Sequence, residues 1–160
     1  KIHVGPPSSL KLYIMTSPVG AYFSDGFKPV KLYADTENIR AWPGGVGNSK
    51  LGGNYAPGIQ PQTAAATLGC SQVLWLFGEE HTITEAGSMN IMFLLRSKDG
   101  SNTVLRTAPI SRGDILPGVT RDSILALVDT WPDVEVVEEA VTMGEVLEAE
   151  AEGRLLEVFG

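Results

Sequence analysis

Apolar positions along the chain fall into short runs separated by glycine, proline and small polar residues, and the period within each run predicts its element. Residues 10–15, Leu-Lys-Leu-Tyr-Ile-Met, alternate in part and end at Ser17-Pro18, which predicts a strand in a sheet. Aromatics set among Gly20, Asp25 and Gly26 predict a folded loop over 19–27, and residues 29–34 predict a second short strand. Residues 55–68 carry an alanine-rich stretch before Gly69, the composition of a helix closed by a glycine just past its end. Pro57 and Pro61 leave the start of that helix open.

Residues 72–77 form a nearly continuous apolar run. The turn Gly78-Glu79-Glu80-His81 and the return at 82–84 make it a buried hairpin. Residues 90–95 and 103–106 predict two more strands joined by the turn Ser97-Lys98-Asp99-Gly100. Ile124, Leu125, Leu127 and Val128 mark the apolar face of a helix over 121–130, and 134–137 predicts a strand. Thr142-Met143-Gly144-Glu145 has the form of a capping box that opens a helix to about residue 152, and 155–159 predicts a final strand. The glutamates from 145 to 157 read as the solvated face of that helix and its flank. No repeat, low-complexity tract or internal domain boundary is evident.

Composition narrows the class. A chain of 160 residues with 43% apolar content has the size of one domain with a real core. A net charge of −7 argues against nucleic-acid and anionic-membrane partners, both of which need basic patches. Cys70 stands alone, so no internal disulfide forms and a reducing compartment is expected. No apolar run has the length of a membrane span, and no charged-then-apolar leader follows Lys1. His81 in a polar turn and His3 near a chain end are not expected to bind metal.

The chemistry concentrates in three places. Residues 40–57 put Lys50 between Gly44, Gly45 and Gly47 on one side and Gly52 and Gly53 on the other, which permits positive φ and close approach of a flat ligand. A lysine in a restricted, partly apolar setting can act as an amine nucleophile toward a carbonyl; a glycine-rich turn with a solvated lysine is the alternative. Glu85, at the end of a buried strand, could hold a pyridine nitrogen protonated or could simply face water. Gly118-Val119-Thr120 opens a helix whose free N–H groups could seat a phosphate, or is an ordinary helix start. Tyr55 could hydrogen-bond a ring oxygen beside an imine, or could pack. Lysine, acid and phosphate cup together describe pyridoxal phosphate.

Six segments carry a family resemblance: Arg40-Ala-Trp, Gly44-Gly-Val-Gly-Asn, Lys50-Leu-Gly-Gly-Asn-Tyr-Ala-Pro, Gln72-Val-Leu-Trp-Leu-Phe-Gly, Ile83-Thr-Glu-Ala-Gly-Ser-Met-Asn and Ile115-Leu-Pro-Gly-Val-Thr-Arg. In this order they resemble the branched-chain amino-acid aminotransferases of fold type IV, especially the eukaryotic mitochondrial and cytosolic forms. The resemblance implies an α+β large, cofactor-binding domain over residues 1–160. It implies that Lys50 forms the Schiff base with pyridoxal 5′-phosphate, that Tyr55 contacts the ring oxygen and that Glu85 contacts the ring nitrogen. Val119 and Thr120, entered through Gly118, would hold phosphate by backbone N–H groups, with Arg40 a further phosphate-side candidate and Ser88 near the substrate carboxylate beside Tyr55.

The implied partners are leucine, isoleucine and valine, their 2-oxo acids, and the 2-oxoglutarate/glutamate pair. A homodimer in the mitochondrial matrix or cytoplasm, not secreted, is implied with them. Other fold type IV enzymes, a D-amino-acid transaminase or aminodeoxychorismate lyase, share these residues, and a non-catalytic cofactor- or partner-binding domain is the reading from another class. The family's small domain, with another phosphate-binding arginine, is not found ahead of Lys1. A Ser-Gly-Thr-Ala loop and the CxxC pair of animal members are not found before Gly160. The chain is therefore expected to be the central part of a larger enzyme and inactive alone.

Overall fold

The computed structural model describes residues 4–20, 26 and 28–160. In chain order its elements are β1 (Leu32–Asp35), α1 (Ile59–Thr67), β2 (Gln72–Phe77), β3 (Thr82–Ala86), β4 (Met92–Arg96) and β5 (Thr103–Thr107). They are followed by α2 (Val119–Val128), β6 (Val134–Glu138), β7 (Val141–Thr142), α3 (Met143–Ala151) and β8 (Leu155–Phe159). The strands form two four-stranded sheets, ordered β1-β2-β3-β7 and β6-β5-β4-β8. Pairing is antiparallel except between β1 and β2 and between β5 and β6, which are parallel.

The period of two along each strand explains the layering. In β2, Leu74 and Leu76 point into a core shared with Ile83, Phe93 and Val141, while Val73 and Trp75 point the other way onto Ala65 of α1. In β4, Phe93 enters the shared core and Met92 turns to Leu125 and Val128 of α2. Helix, sheet, sheet and helix therefore stack in that order, and β2 and β4 are apolar on both faces because both faces are covered. That is why residues 72–77 read as a nearly continuous apolar run.

Most predicted elements form, with shifts that have local causes. The hairpin extends to Ala86, and β1 begins three residues after Pro29. Pro29 has no N–H to offer a ladder. In the predicted helix over 55–68, only Ile59–Thr67 is α-helical, and the 3₁₀ turns Gly52–Asn54 and Ala56–Gly58 precede it. Pro61 is tolerated because it sits in the first turn, where N–H groups lack helical partners anyway. The helix ends in a Schellman motif: Gly69, at φ 73°, donates to the Ala66 carbonyl and Cys70 to that of Ala65.

The strand expected over 10–15 is not formed. Leu10, Leu12 and Ile14 are 90%, 91% and 86% exposed, and among the described residues no strand pairs with this segment. Alternation alone supplies a face but no ladder partner, and an unpaired strand is not stable in water. The loop expected over 19–27 falls largely on residues outside those described.

The capping box forms as predicted. The Glu145 N–H donates to Thr142 Oγ1 at 3.2 Å and the Thr142 N–H donates to Glu145 Oε2 at 2.8 Å. Arg106 also pairs with Glu145 at 2.9 Å, which ties α3 to β5. Replacing Thr142 with Ala is expected to lower unfolding stability by about 1 kcal/mol. Thr142→Ser should retain most of the cap, and urea unfolding of both variants distinguishes a cap contribution from none.

Candidate functional site

The loop between β1 and α1 carries Lys50, and its shape is set by packing as much as by backbone freedom. Of the five glycines flanking the lysine, only Gly44 has a positive φ. Gly47 is required for another reason: a Cβ there would lie 2.4 Å from Ala41 Cβ and 2.8 Å from the Asp114 carbonyl oxygen. The loop is thus pressed against the turn at 113–114, where the Asn48 N–H donates to the Gly113 carbonyl at 3.2 Å. The Asn54 amide closes the loop from inside by donating to the Val46 and Ser49 carbonyls at 2.8 and 2.9 Å. Lys50 itself stays exposed, with Nζ 5.2 Å from the centre of the Tyr55 ring.

Glu85 has the opposite environment. It lies near the end of β3 with a side chain 3% exposed and forms an ion pair of 2.8 Å with Arg40, whose side chain is 7% exposed. Its other oxygen, Oε1, accepts from the Leu116 N–H at 3.0 Å and from the Asn90 amide at 3.4 Å. Burial pushes the Glu85 carboxyl above the ordinary glutamate value, while the Arg40 guanidinium, the Leu116 N–H and the Lys50 ammonium pull it back. Arg40 also donates to the Asp114 carbonyl at 3.0 Å. Among the described residues, buried Arg40 Nε and Asp114 Oδ1 have no hydrogen-bond partner.

Gly118 is the N-cap of α2, and no side chain caps the helix, so its first N–H groups face outward without a side-chain acceptor. Val119 and Thr120 are exposed. The segment leading into the helix is bound to Glu85 through Leu116, which links the helix start to the acid. Arg40, Tyr55 and Ser88 line one cleft of about 210 Å³, together with Trp75, Ile59 and Gln72.

The structure therefore brings Arg40 and Glu85 into contact, sets Lys50 against Tyr55, and joins the helix start at 118–120 to Glu85 through one peptide. Arg40 engages the acid and the 113–114 turn. Asn54, Asn90 and Asp114 also belong to the site and were not identified from sequence. Asn54 and Asn90 lie inside motifs that sequence reading singled out, but their hydrogen bonds reach other loops and leave no periodic signal. Among the described residues, no group of His, Cys, Asp or Glu is arranged to hold a metal ion, and no helix is long and apolar enough to cross a membrane. The donor set comprises a primary amine, a buried carboxylate and uncapped helix N–H groups. By type, an amine suits a carbonyl, a carboxylate a protonatable nitrogen, and helix N–H groups an anion.

Curated branched-chain-amino-acid aminotransferases are similar over 98% of this chain: one from Monosiga brevicollis at 51% identity, the mitochondrial protein of Bos taurus at 51% and the cytosolic protein of Caenorhabditis elegans at 49%. The chain spans 38–40% of the length of these relatives. Among solved structures, the branched-chain aminotransferase of Thermoproteus uzoniensis matches with a TM-score of 0.67 at 24% identity, over 82% of this chain and 41% of that one. That of Escherichia coli matches with a TM-score of 0.64 at 25% identity, over 84% and 40%. The α+β architecture is thus that of the fold type IV enzymes. The model of the amino-transferase class IV family matches residues 5–151, and the chain belongs to that family.

Proposed function

We propose that residues 1–160 form the cofactor-binding, large-domain portion of a branched-chain amino-acid transaminase, a longer protein that also carries a small domain and a further C-terminal part. Its reaction converts leucine, isoleucine or valine to the 2-oxo acid and passes the amino group to 2-oxoglutarate, giving glutamate. The observation that carries the reading is the buried Glu85–Arg40 pair, bound to the segment that opens α2 and accompanied by an exposed lysine on the neighbouring loop. Relatives at about 50% identity bearing the branched-chain name favour transamination over a lyase.

The residues present fit pyridoxal 5′-phosphate. Lys50 would hold it through its amine, Tyr55 would face the ring oxygen, Glu85 the ring nitrogen, and the Val119 and Thr120 N–H groups, opened by the N-cap Gly118, the phosphate. Bound there, the cofactor supplies an electrophilic carbon and an electron-accepting ring. Lys50 Nζ, once free, takes the proton from the Cα of the amino acid and later releases it, as general base and then acid. Glu85, ionised, keeps the opposing nitrogen protonated. Arg40 keeps Glu85 ionised by placing a positive charge on a carboxyl that burial would otherwise neutralise. Ser88 and Tyr55, on the cleft wall, orient the substrate carboxylate. The homodimer and a site in the mitochondrial matrix or cytoplasm belong to the same proposal; the curated relatives include both a cytosolic and a mitochondrial protein.

In the full-length protein, Lys50→Ala is expected to lower turnover by roughly a thousandfold or more while cofactor still binds, and Glu85→Gln by about a hundredfold. Glutamate formation from leucine and 2-oxoglutarate reads both, and a near-normal rate in Lys50→Ala would sink the assignment.

The pH dependence follows from burial. The folded carboxyl of Glu85 lies above its unfolded value, so the folded state holds that proton more tightly. Its contribution to stability is therefore present below the ordinary glutamate value and is lost as pH rises through the folded one. Arg40→Met removes the opposing charge and raises the carboxyl further, so the acid limb of the kcat/KM profile should move to higher pH. An unmoved limb would separate Arg40 from the ionisation of Glu85.

Residues 1–160 alone should turn over at least about a hundredfold slower than the full-length protein. Misplacement of reacting groups by roughly 1 Å already costs that much. The same glutamate assay, run with added pyridoxal 5′-phosphate, tests this expectation.

A further inference from the structure

We propose that Asn90 is a positioning residue that fixes the spacing between the Glu85 carboxylate and the backbone N–H groups opening α2. This rests on the reading of those two features as the ring-nitrogen partner and the phosphate seat. Its amide Nδ2 donates to the Leu116 carbonyl at 2.9 Å and points to Glu85 Oε1 at 3.4 Å. The N–H of the same residue, Leu116, donates to Glu85 Oε1 at 3.0 Å. Leu116 is therefore held at both of its polar groups, one by the acid and one by the asparagine. Pro117 follows with its φ fixed by the ring, and Gly118 then begins the helix. Little conformational freedom is left between the acid and the first helical N–H.

Asn90 also bears on Gly118 directly. A Cβ at that position would sit 2.2 Å from Asn90 Oδ1, so the N-cap is packed against the asparagine, and a larger residue there would push the amide away. Asn90 is itself anchored, because the four-residue turn from Ala86 to Met89 is closed by two backbone hydrogen bonds of 3.0 and 2.9 Å. The turn starts one residue after Glu85 and ends one residue before Asn90, so acid and asparagine keep a fixed relation. The side chain must donate in one direction and stay compact in another. Aspartate would set a third acceptor against a carboxylate and a carbonyl, and glutamine would be a methylene too long for the contact with Gly118.

A spacer predicts a particular signature in binding. Pyridoxal 5′-phosphate engages both ends of the site at once, whereas pyridoxal engages only the ring end and inorganic phosphate only the helix end. When the spacing is right, the joined ligand gains from the second contact being intramolecular. Loss of the spacer removes that gain and leaves each half intact. The test uses full-length apoprotein, with the three ligands titrated separately against tryptophan fluorescence. Asn90→Ala is expected to weaken pyridoxal 5′-phosphate by about tenfold or more, through loss of that intramolecular gain. Pyridoxal and phosphate should each change by less than about threefold. Asn90→Asp keeps the size and the packing against Gly118 but replaces the donor, and should give the same signature if Asn90→Ala fails to fold.

Unchanged affinity for the joined ligand would overturn the role of Asn90. So would a tenfold loss shared by pyridoxal or by phosphate, since that is local damage at one end. Wild-type apoprotein that binds pyridoxal 5′-phosphate no better than its halves would overturn the reading of the site itself, and the inference with it.

Discussion

A carboxylate shut away from water must be satisfied by protein, and Glu85 imposes that requirement on three segments far apart in sequence. Taking such a group out of solvent costs several kcal/mol even after relaxation, and the cost is met only by good geometry on both oxygens. Arg40, after β1, supplies charge to Oε2. Leu116, ahead of α2, supplies an N–H to Oε1, and Asn90, after the β3–β4 turn, reaches the same oxygen. The same guanidinium then binds the Asp114 carbonyl, against which Gly47 packs. The lysine loop and the helix start are both held in place by a network centred on one acid.

The layered fold makes this possible. Helices on both outer faces leave β2 and β4 dry on both sides, so the scaffold under the site is rigid and the functional groups sit on loops at its margin. The β5–α2–β6 unit is a parallel crossover, a connection long enough to carry a helix between the strands. It delivers the N-terminus of α2 beyond the carboxyl end of β5, where the loop 108–118 can turn back to Glu85. The β2–β3 hairpin delivers Glu85 from the other sheet. The site is a seam between two sheets rather than a feature of either.

What was legible in the sequence follows from range. Strands of period two, the alanine-rich helix with Gly69 past its end, and the Thr142–Glu145 capping box all depend on neighbours within a few residues, and each appears near its expected place. Residues 10–15 have the right alternation, yet among the described residues no strand pairs with them, and pairing is a non-local property that periodicity does not encode. Lys50 and Glu85 stood out because their types are unusual in those surroundings. Arg40, a phosphate-side candidate by the family resemblance, lies against Glu85, a contact 45 positions away that no local pattern announces. Asn54, Asn90 and Asp114 are ordinary loop residues by type, and only the closure of loops against each other gives them roles.

The two ends of the site differ in how firmly they are held, and the proposed chemistry needs that difference. Glu85 is buried and bound on both oxygens, so its carboxylate has one position. The Lys50 amine is exposed and lies over the Tyr55 ring at 5.2 Å, an attraction worth about 0.5–1 kcal/mol at such a surface. A group that opposes a ring nitrogen throughout a reaction works best when fixed, because any motion weakens the charge it stabilises. A lysine that must hold a ligand, let it go and then carry a proton has to swing between those tasks, and a contact of that size is weak enough to be broken at each turnover. The loop backbone is the fixed part: Asn54 and the packing at Gly47 hold the chain from which the exposed Lys50 side chain extends, and so limit its reach.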